Sequence, residues 1–228
     1  MTLDFFKFPT TPHLTVLGKG TVRNDKVFTE HERDAFLDHE LIVEEKIDGA
    51  NVGISFDSSG EVHVQNRGSF LLKPYQGQWK KIDEWLFLNL DRFFDVLQDQ
   101  YILFGEWCFA RHSVRYENLP SWFLGFDIYD KESRQFLSCD VRNDLFRQMK
   151  ISQTPMLGRG SFSLHGLKAF FRTSRFSTTP SEGIYLRYDH GKWLGARAKL
   201  VRPEFVQAIE IHWSRKDIIP NQLRGDFQ

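Results

Sequence analysis

An α+β fold with largely antiparallel sheets is the architecture this sequence predicts, on three observations. Strand-length apolar runs come in pairs joined by turn residues. One long stretch between them carries helical periodicity. No Gly/Ser tract, fixed-period repeat or low-complexity block divides the chain. The 228 residues fit one large domain or two small ones, and 22 Phe with 6 Trp supply bulky material for a substantial core.

In chain order, 41–45 and 51–56 read as strands, and the turn Asp57-Ser58-Ser59-Gly60 leads into a third at 61–66. From 79 to 97 the apolar residues Ile82, Trp85, Leu86, Leu90, Phe93, Phe94 and Leu97 fall at helical spacing, which predicts one helix packed on the core. Aromatic-rich strands follow at 101–109 and 122–129, with helices at 140–149 and 164–172. A second hairpin pairs 182–188 with 192–200 around Asp189-His190-Gly191. Pro203 then suits the first turn of a helix that places Phe205, Ile209 and Trp213 on one side.

Charge is balanced overall, with 30 basic and 30 acidic residues, so no global field recruits a polyanion. The segment from Arg159 to Arg202 nevertheless holds nine basic residues against Glu182 and Asp189. Such a run is most often a solvated face; as a functional sign it points to an anionic ligand. Cys108 and Cys139 are too few to staple the fold or to build a paired-cysteine zinc site. With neither a signal-like segment nor an apolar run of membrane length, the chain reads as a soluble, cytoplasmic protein of a reducing compartment.

The chemistry starts at Glu44-Glu45-Lys46-Ile47-Asp48-Gly49-Ala50-Asn51. A lysine fixed at a strand end and partly desolvated can lose its proton and attack an electrophile; the plain alternative is a surface lysine in a hairpin turn. Further along come Phe104-Gly105-Glu106-Trp107, Leu124-Gly125-Phe126-Asp127, Ser181-Glu182-Gly183 and Ala196-Arg197-Ala198-Lys199. In this order and spacing the five motifs resemble those of the covalent nucleotidyltransferases: ATP-dependent DNA ligases, RNA ligases and RNA-capping enzymes. The likeness is greatest to RNA ligases of the nick-sealing branch, to which Lys7-Phe8-Pro9-Thr10-Thr11-Pro12-His13-Leu14 and Ala110-Arg111-His112-Ser113-Val114-Arg115-Tyr116 are also similar.

The resemblance implies a nucleotidyltransferase (adenylation) domain with ATP-grasp-like sheets, and a three-step reaction. A lysine attacks ATP, AMP passes to a 5′-phosphate, and a 3′-hydroxyl displaces AMP. On the matching positions Lys46 is the nucleophile. The nucleotide-binding set is Glu45, Asn51, Arg67, Glu106, Phe126, Glu182, Arg197 and Lys199. Within it Asn51 lies near the phosphate, and Arg67 at the phosphate or the strand end. Glu106 accepts from a ribose hydroxyl, Phe126 stacks on adenine, and Arg197 with Lys199 grip phosphates. Glu182 is the metal residue, for Mg²⁺ with Mn²⁺ as the alternative. Singly, several have plainer readings: Arg67 a surface charge, Phe126 core packing, Glu182 a turn cap, His112 a structural histidine. Lys7, His13, Arg23 and Lys26 form an N-terminal basic group within reach of ATP phosphates.

Arg197 stands where many relatives carry lysine, a planar fork in place of a point charge. It shares one face of its strand with Lys199, leaving Ala198 on the other face, where a serine should be tolerated. The residues after Arg202 are too few for an OB-fold or helical domain, so the whole chain, 1–228, is expected to be one adenylation domain. The reading is a minimal ATP-dependent RNA ligase whose partners are RNA ends, with DNA ends possible. A DNA-end ligase, a capping-type nucleotidyltransferase and a non-catalytic nucleic-acid-binding protein on the same scaffold are the alternatives.

Overall fold

A computed structural model describes residues 5–18, 27–208 and 218–225. Two antiparallel sheets form the frame. The first contains β1 (Leu41–Lys46), β7 (Met156–Gly160), β8 (Gly183–His190) and β9 (Trp193–Val201), in the order β7-β1-β8-β9. The second contains β2 (Ala50–Phe56), β3 (Val62–Gln65), β4 (Tyr101–Trp107), β5 (Phe123–Asp130) and β6 (Gln135–Phe136), in the order β3-β2-β4-β5-β6. Every pairing is antiparallel, as the hairpin pattern predicts. The helix α1 (Glu30–Leu37) precedes β1, α2 (Ile82–Phe87), α3 (Leu90–Leu97), α4 (Cys139–Met149) and α5 (Leu164–Lys168) lie between strands in sequence, and α6 (Pro203–Ala208) follows β9.

Two helices depart from expectation. The single helix predicted over 79–97 is split: a 3-10 turn at Gly77–Trp79 precedes α2, and α3 begins after Leu88 and Asn89. The Asn89 side chain donates to the Trp85 carbonyl at 2.6 Å, taking the acceptor its own backbone N–H would use in a continuous helix, and that N–H turns to Leu86 at 2.9 Å. The helix predicted over 164–172 stops at Lys168, after which Phe170 packs edge-on against Phe162. Periodicity does not predict α1, although Thr29 and Glu32 form a capping box at its start. Of the C-terminal helix, Pro203–Ala208 is helical; Ile209 and Trp213 lie outside the described residues, as do Arg23 and Lys26 near the N-terminus.

One face of the five-stranded sheet packs on α2, α3 and α4 through Val52, Ile54, Leu103, Phe93 and Phe146. The four-stranded sheet is covered on one side by α1 and α5, with Val43, Leu186 and Ala198 at the centre. Ala198 is fully buried there, so the expected tolerance of serine is corrected: its hydroxyl would enter an apolar core. An N-terminal strap closes the frame. Phe6 and Phe8 pack against Phe104 and Phe136, and the Pro12 carbonyl and Leu14 N–H pair with Lys199 of β9. Among the described residues no helix is long and apolar enough to cross a membrane.

Between the sheets lies a dry layer of paired charges. Arg142 of α4 meets Glu44 of β1 at 2.6 Å, and Asp127 of β5 is held by Arg187 at 2.9 Å and Arg197 at 2.7 Å. Arg187 also donates to the Leu137 carbonyl at 2.7 Å and meets Asp189 at 3.3 Å. Removing one member of a buried ion pair costs about 3–5 kcal/mol because its partner stays buried and uncompensated. Asp127→Ala strands two guanidinium groups and should lose that much stability in urea unfolding. A loss under about 1 kcal/mol would mean that Asp189 and the Leu137 carbonyl suffice to hold Arg187.

Candidate active site

The two sheets meet along a cavity of about 380 Å³ whose wall includes the end of β1. Strand β1 runs buried through Val43, Glu44 and Glu45 and delivers Lys46 to this wall. Its register against β7 shifts between Val43 and Glu44, and Glu45 N–H turns to the Pro155 carbonyl at 2.8 Å. An irregularity of this kind re-aims the residues that follow it.

The turn after Lys46 is fixed on both sides. A Cβ on Gly49 would stand 2.6 Å from the Trp107 carbonyl, so glycine is required there by close approach, and its N–H donates to Glu106 Oε1 at 3.0 Å. Asp48 accepts from Ser113 N–H at 2.6 Å and Val114 N–H at 2.7 Å, while its own N–H donates to the buried Tyr116 hydroxyl at 2.8 Å. Asp48 thereby ties the lysine turn to the loop that carries His112 into the cavity wall, where His112 Nε2 lies 3.1 Å from Gln78 Oε1. Asn221 braces the same loop through Tyr116 N–H and the Cys108 carbonyl.

Lys46 Nζ donates to Glu182 Oε2 at 2.5 Å. Burial alone would push the Lys46 pKa down, but Glu182, Glu106 and Asp48 outweigh it and hold the amine charged, above its ordinary value. Burial pushes Glu182 up against the opposing pull of Lys46, and it pushes Glu106 up to about 8. Lys46 thus sits against Glu182, with Glu106 and Asp48 near enough to act on its charge, and the Glu182 carboxylate is an oxygen donor of the kind a hard divalent cation takes.

The Glu106 shift sets a pH dependence of stability. A carboxyl that ionises near 8 when folded and near its ordinary 4.5 when unfolded holds its proton more tightly in the native state, so its contribution falls as pH rises between those values. At about 1.4 kcal/mol per unit, Glu106→Gln should stabilise the nucleotide-free protein at pH 8 relative to pH 5 by on the order of 2–4 kcal/mol more than wild type. Equal pH profiles for the two proteins in urea unfolding would show that Glu106 is already ionised at neutrality.

Of the residues singled out by sequence, Lys46, Asn51, Arg67, Glu106, Phe126 and Lys199 line the cavity, Arg67 from an exposed position. Glu182 reaches it through its bond to Lys46. Phe126 is the extra residue of a bulge: Phe104 faces Asp127 and Gly105 faces Gly125, leaving Phe126 unmatched, with its half-buried ring on the cavity side. Arg142 fixes its carbonyl from behind. Glu45 contributes to the wall, but its carboxylate points away, accepting from Ser174 Oγ at 2.5 Å and Arg175 N–H at 3.0 Å. Arg197 stays outside the wall, paired with Asp127 and lying 4.0 Å from the Phe136 ring centroid and 4.7 Å from that of Phe8. In the N-terminal group Lys7 is exposed and His13 is buried; the strap reaches the cavity through Phe8 and Thr11.

Sequence reading missed Phe8, Thr11, Thr154 and Tyr185, all on the wall. Phe8 and Thr11 lie in the family-like N-terminal segment without being singled out there, and Thr154 has no local signal, since the segment 153–155 acquires its place by bridging β5 to β1. Two polar atoms buried here have no hydrogen-bond partner: Asn51 Oδ1 and Thr154 Oγ1. In a dry site an unpaired acceptor or hydroxyl costs about 1–3 kcal/mol unless a ligand meets it. The cavity therefore joins a buried lysine amine, further basic side chains, carboxyl groups, a flat ring, and two polar atoms without hydrogen-bond partners.

The family model described as RNA ligase matches residues 39–201, more than two thirds of the chain. No curated protein matches the sequence. Solved structures of a Naegleria gruberi RNA ligase are similar in fold. One variant with ATP and Mn shares 17% identity at a TM-score of 0.60, over 87% of this chain and 63% of that one. Another variant with ATP and Mn shares 16% at 0.55, over 76% and 53%. The form with PPi shares 17% at 0.57, over 93% and 65%. The chain spans between half and two thirds of the length of these structures.

Proposed function

The chain belongs to the RNA ligase family, and from that premise we propose that it joins an RNA 5′-phosphate to a 3′-hydroxyl at the expense of ATP, acting as one ATP-grasp-like adenylation domain over 1–228. The observation that carries this reading is Lys46, set on the cavity wall against Glu182 at 2.5 Å, with Lys199, Glu106 and Phe126 on the same wall.

In the first step Lys46 Nζ, having lost its proton, attacks the α-phosphorus of ATP; a P–N bond forms and the P–O bond to pyrophosphate breaks. Glu182 Oε2 is the nearest base for that proton. Lys199, beside the strap, neutralises charge on the leaving pyrophosphate. Asn51 and Arg67 hold the α-phosphate, Glu106 the ribose and Phe126 the adenine. In the second step a 5′-phosphate oxygen of the RNA attacks the same phosphorus and the P–N bond breaks. In the third the 3′-hydroxyl attacks the activated 5′-phosphate and AMP leaves.

Glu182, an oxygen donor bound to Lys46 at 2.5 Å, is the residue that would hold a divalent ion; Mg²⁺, or Mn²⁺ in its place, would supply charge neutralisation on phosphate oxygens. Arg197 belongs to this reading as a residue that reaches phosphates only by leaving Asp127. Tyr185, whose hydroxyl lies 3.4 Å from Arg197, and Asp127 hold it against that movement.

The test is intact-mass analysis after incubation with ATP and Mg²⁺, followed by ligation of nicked strands. A covalent AMP formed from ATP in preference to GTP, and joined RNA product, support the reading. An adduct built equally well from GTP favours a capping-type enzyme, equal sealing of all-DNA ends a DNA-end ligase, and no adduct at all a non-catalytic protein.

A further inference from the structure

Thr154 is 4% exposed and faces the cavity, yet its Oγ1 has no hydrogen-bond partner. Its backbone is firmly placed. Thr154 N–H donates to the Gly125 carbonyl at 3.0 Å, Gly125 N–H donates to the Ser152 carbonyl at 2.8 Å, and the following Pro155 carbonyl receives Glu45 N–H at 2.8 Å. The segment 152–155 is thus pinned at both ends, to β5 one residue before Phe126 and to β1 one residue before Lys46. Thr154 shares the cavity wall with Phe126, Glu44, Phe8 and Tyr185, and its backbone is held by the residue that precedes Phe126.

A buried threonine hydroxyl without a protein partner is uncommon: such groups nearly always find an acceptor. Burying it costs free energy that a bound molecule recovers by hydrogen bonding. Valine has the same shape and would fill the position without that cost, so packing alone does not account for threonine here. Ionic phosphate contacts are provided elsewhere, by Lys46 and Lys199. What a flat ring such as Phe126 leaves unread is the edge of whatever stacks upon it, and a hydroxyl on the same wall, able both to donate and to accept, is suited to a ring nitrogen or an exocyclic amine.

We propose that Thr154 is a specificity-determining residue whose Oγ1 hydrogen-bonds to the edge of the purine base stacked on Phe126. The inference rests on the nucleotide reading of the cavity given above. It goes further in placing base-edge recognition on the segment that links the two sheets, so that base identity is sensed one residue from the strand that carries the nucleophile. Losing one neutral hydrogen bond of this kind weakens binding by roughly three- to tenfold.

The experiment compares wild type, Thr154→Val and Thr154→Ser. Rates of AMP adduct formation are read by intact mass across a range of ATP concentrations, then repeated with purine riboside triphosphate and with 1-deaza-, 3-deaza- and 7-deaza-ATP. The expected result is that Thr154→Val raises the half-saturating ATP concentration roughly three- to tenfold with little change in the maximal rate, while Thr154→Ser restores it. With the analogue that lacks the contacted atom, wild type and Thr154→Val should become equal. If Thr154→Val matched wild type with ATP, or lost the same factor with every analogue, the hydroxyl would not read the base and the proposal would fall. Thr154→Ala carries the same comparison should the valine variant not fold. Absence of any adduct in wild type would instead remove the nucleotide reading itself, an outcome separable from the other two.

Discussion

Lys46→Ala should form no AMP adduct, and neither should Lys46→Arg. The amine is the only group on the cavity wall that the reading uses as a nucleophile, and removing a covalent nucleophile costs on the order of 10⁶ in rate where it has been measured. The arginine variant gives the comparison its force. It keeps a cation opposite Glu182, so the 2.5 Å ion pair has a successor and the Glu182 carboxylate stays compensated. A guanidinium, however, does not deprotonate in the accessible pH range and cannot supply a lone pair. If stability in urea is preserved in Lys46→Arg while the adduct disappears, the loss is chemical. An adduct persisting in either variant would place the nucleophile on another residue and undo the assignment. The charged state of Lys46 in the nucleotide-free protein adds a further constraint: the amine must give up a proton before it reacts, and the carboxylates that hold it charged oppose that release.

The residues legible in the sequence share one property: each belongs to a short local motif, and the resemblance carried by those motifs implies its role. Lys46 ends a strand and Gly49 sits in the turn that follows, Glu106 and Phe126 lie in aromatic-rich strands, and Lys199 at an alternate position of a hairpin. The hairpins, and with them the antiparallel class, were readable for the same reason. What local pattern does not carry is which residue faces the cavity after a bulge. The bulge at Phe126 turns its ring outward and sends Asp127 into the layer between the sheets, where it claims Arg197. Spacing places Arg197 and Lys199 on one face, and they do share it. Yet Lys199 lines the cavity while Arg197 does not, and that difference rests on Asp127, 70 residues away, which holds Arg197 in a buried pair. Thr154 and the strap residues Phe8 and Thr11 enter the site by tertiary contacts alone. The split between α2 and α3 was hidden for the opposite reason: a single side-chain bond from Asn89 overrides a regular apolar period.

That separation bears on Lys199, for which a large and step-specific loss is expected. Lys199 lies on the cavity wall, its backbone paired on both sides with the N-terminal strap through the Pro12 carbonyl and Leu14 N–H. Its charge also acts on Glu182, the partner of Lys46. When Lys46 attacks, negative charge develops on pyrophosphate, and a cation already in place costs no reorganisation at that moment; removing one such preorganised contact typically costs ~10²–10³ in rate. Lys199→Ala should therefore slow adduct formation from ATP by about that factor. A strand supplied with its 5′-end already adenylated needs no pyrophosphate departure, so the same variant should seal it with a much smaller deficit. The decisive quantity is the ratio of the two rates in variant and wild type, with Lys199→Arg included to restore charge without the lysine geometry. Preserved urea stability with a ratio shifted ten-fold or more places Lys199 at the first step. If both reactions slowed by one common factor, Lys199 would serve phosphate binding throughout the cycle or the seating of the strap, and the assignment to pyrophosphate departure would be wrong.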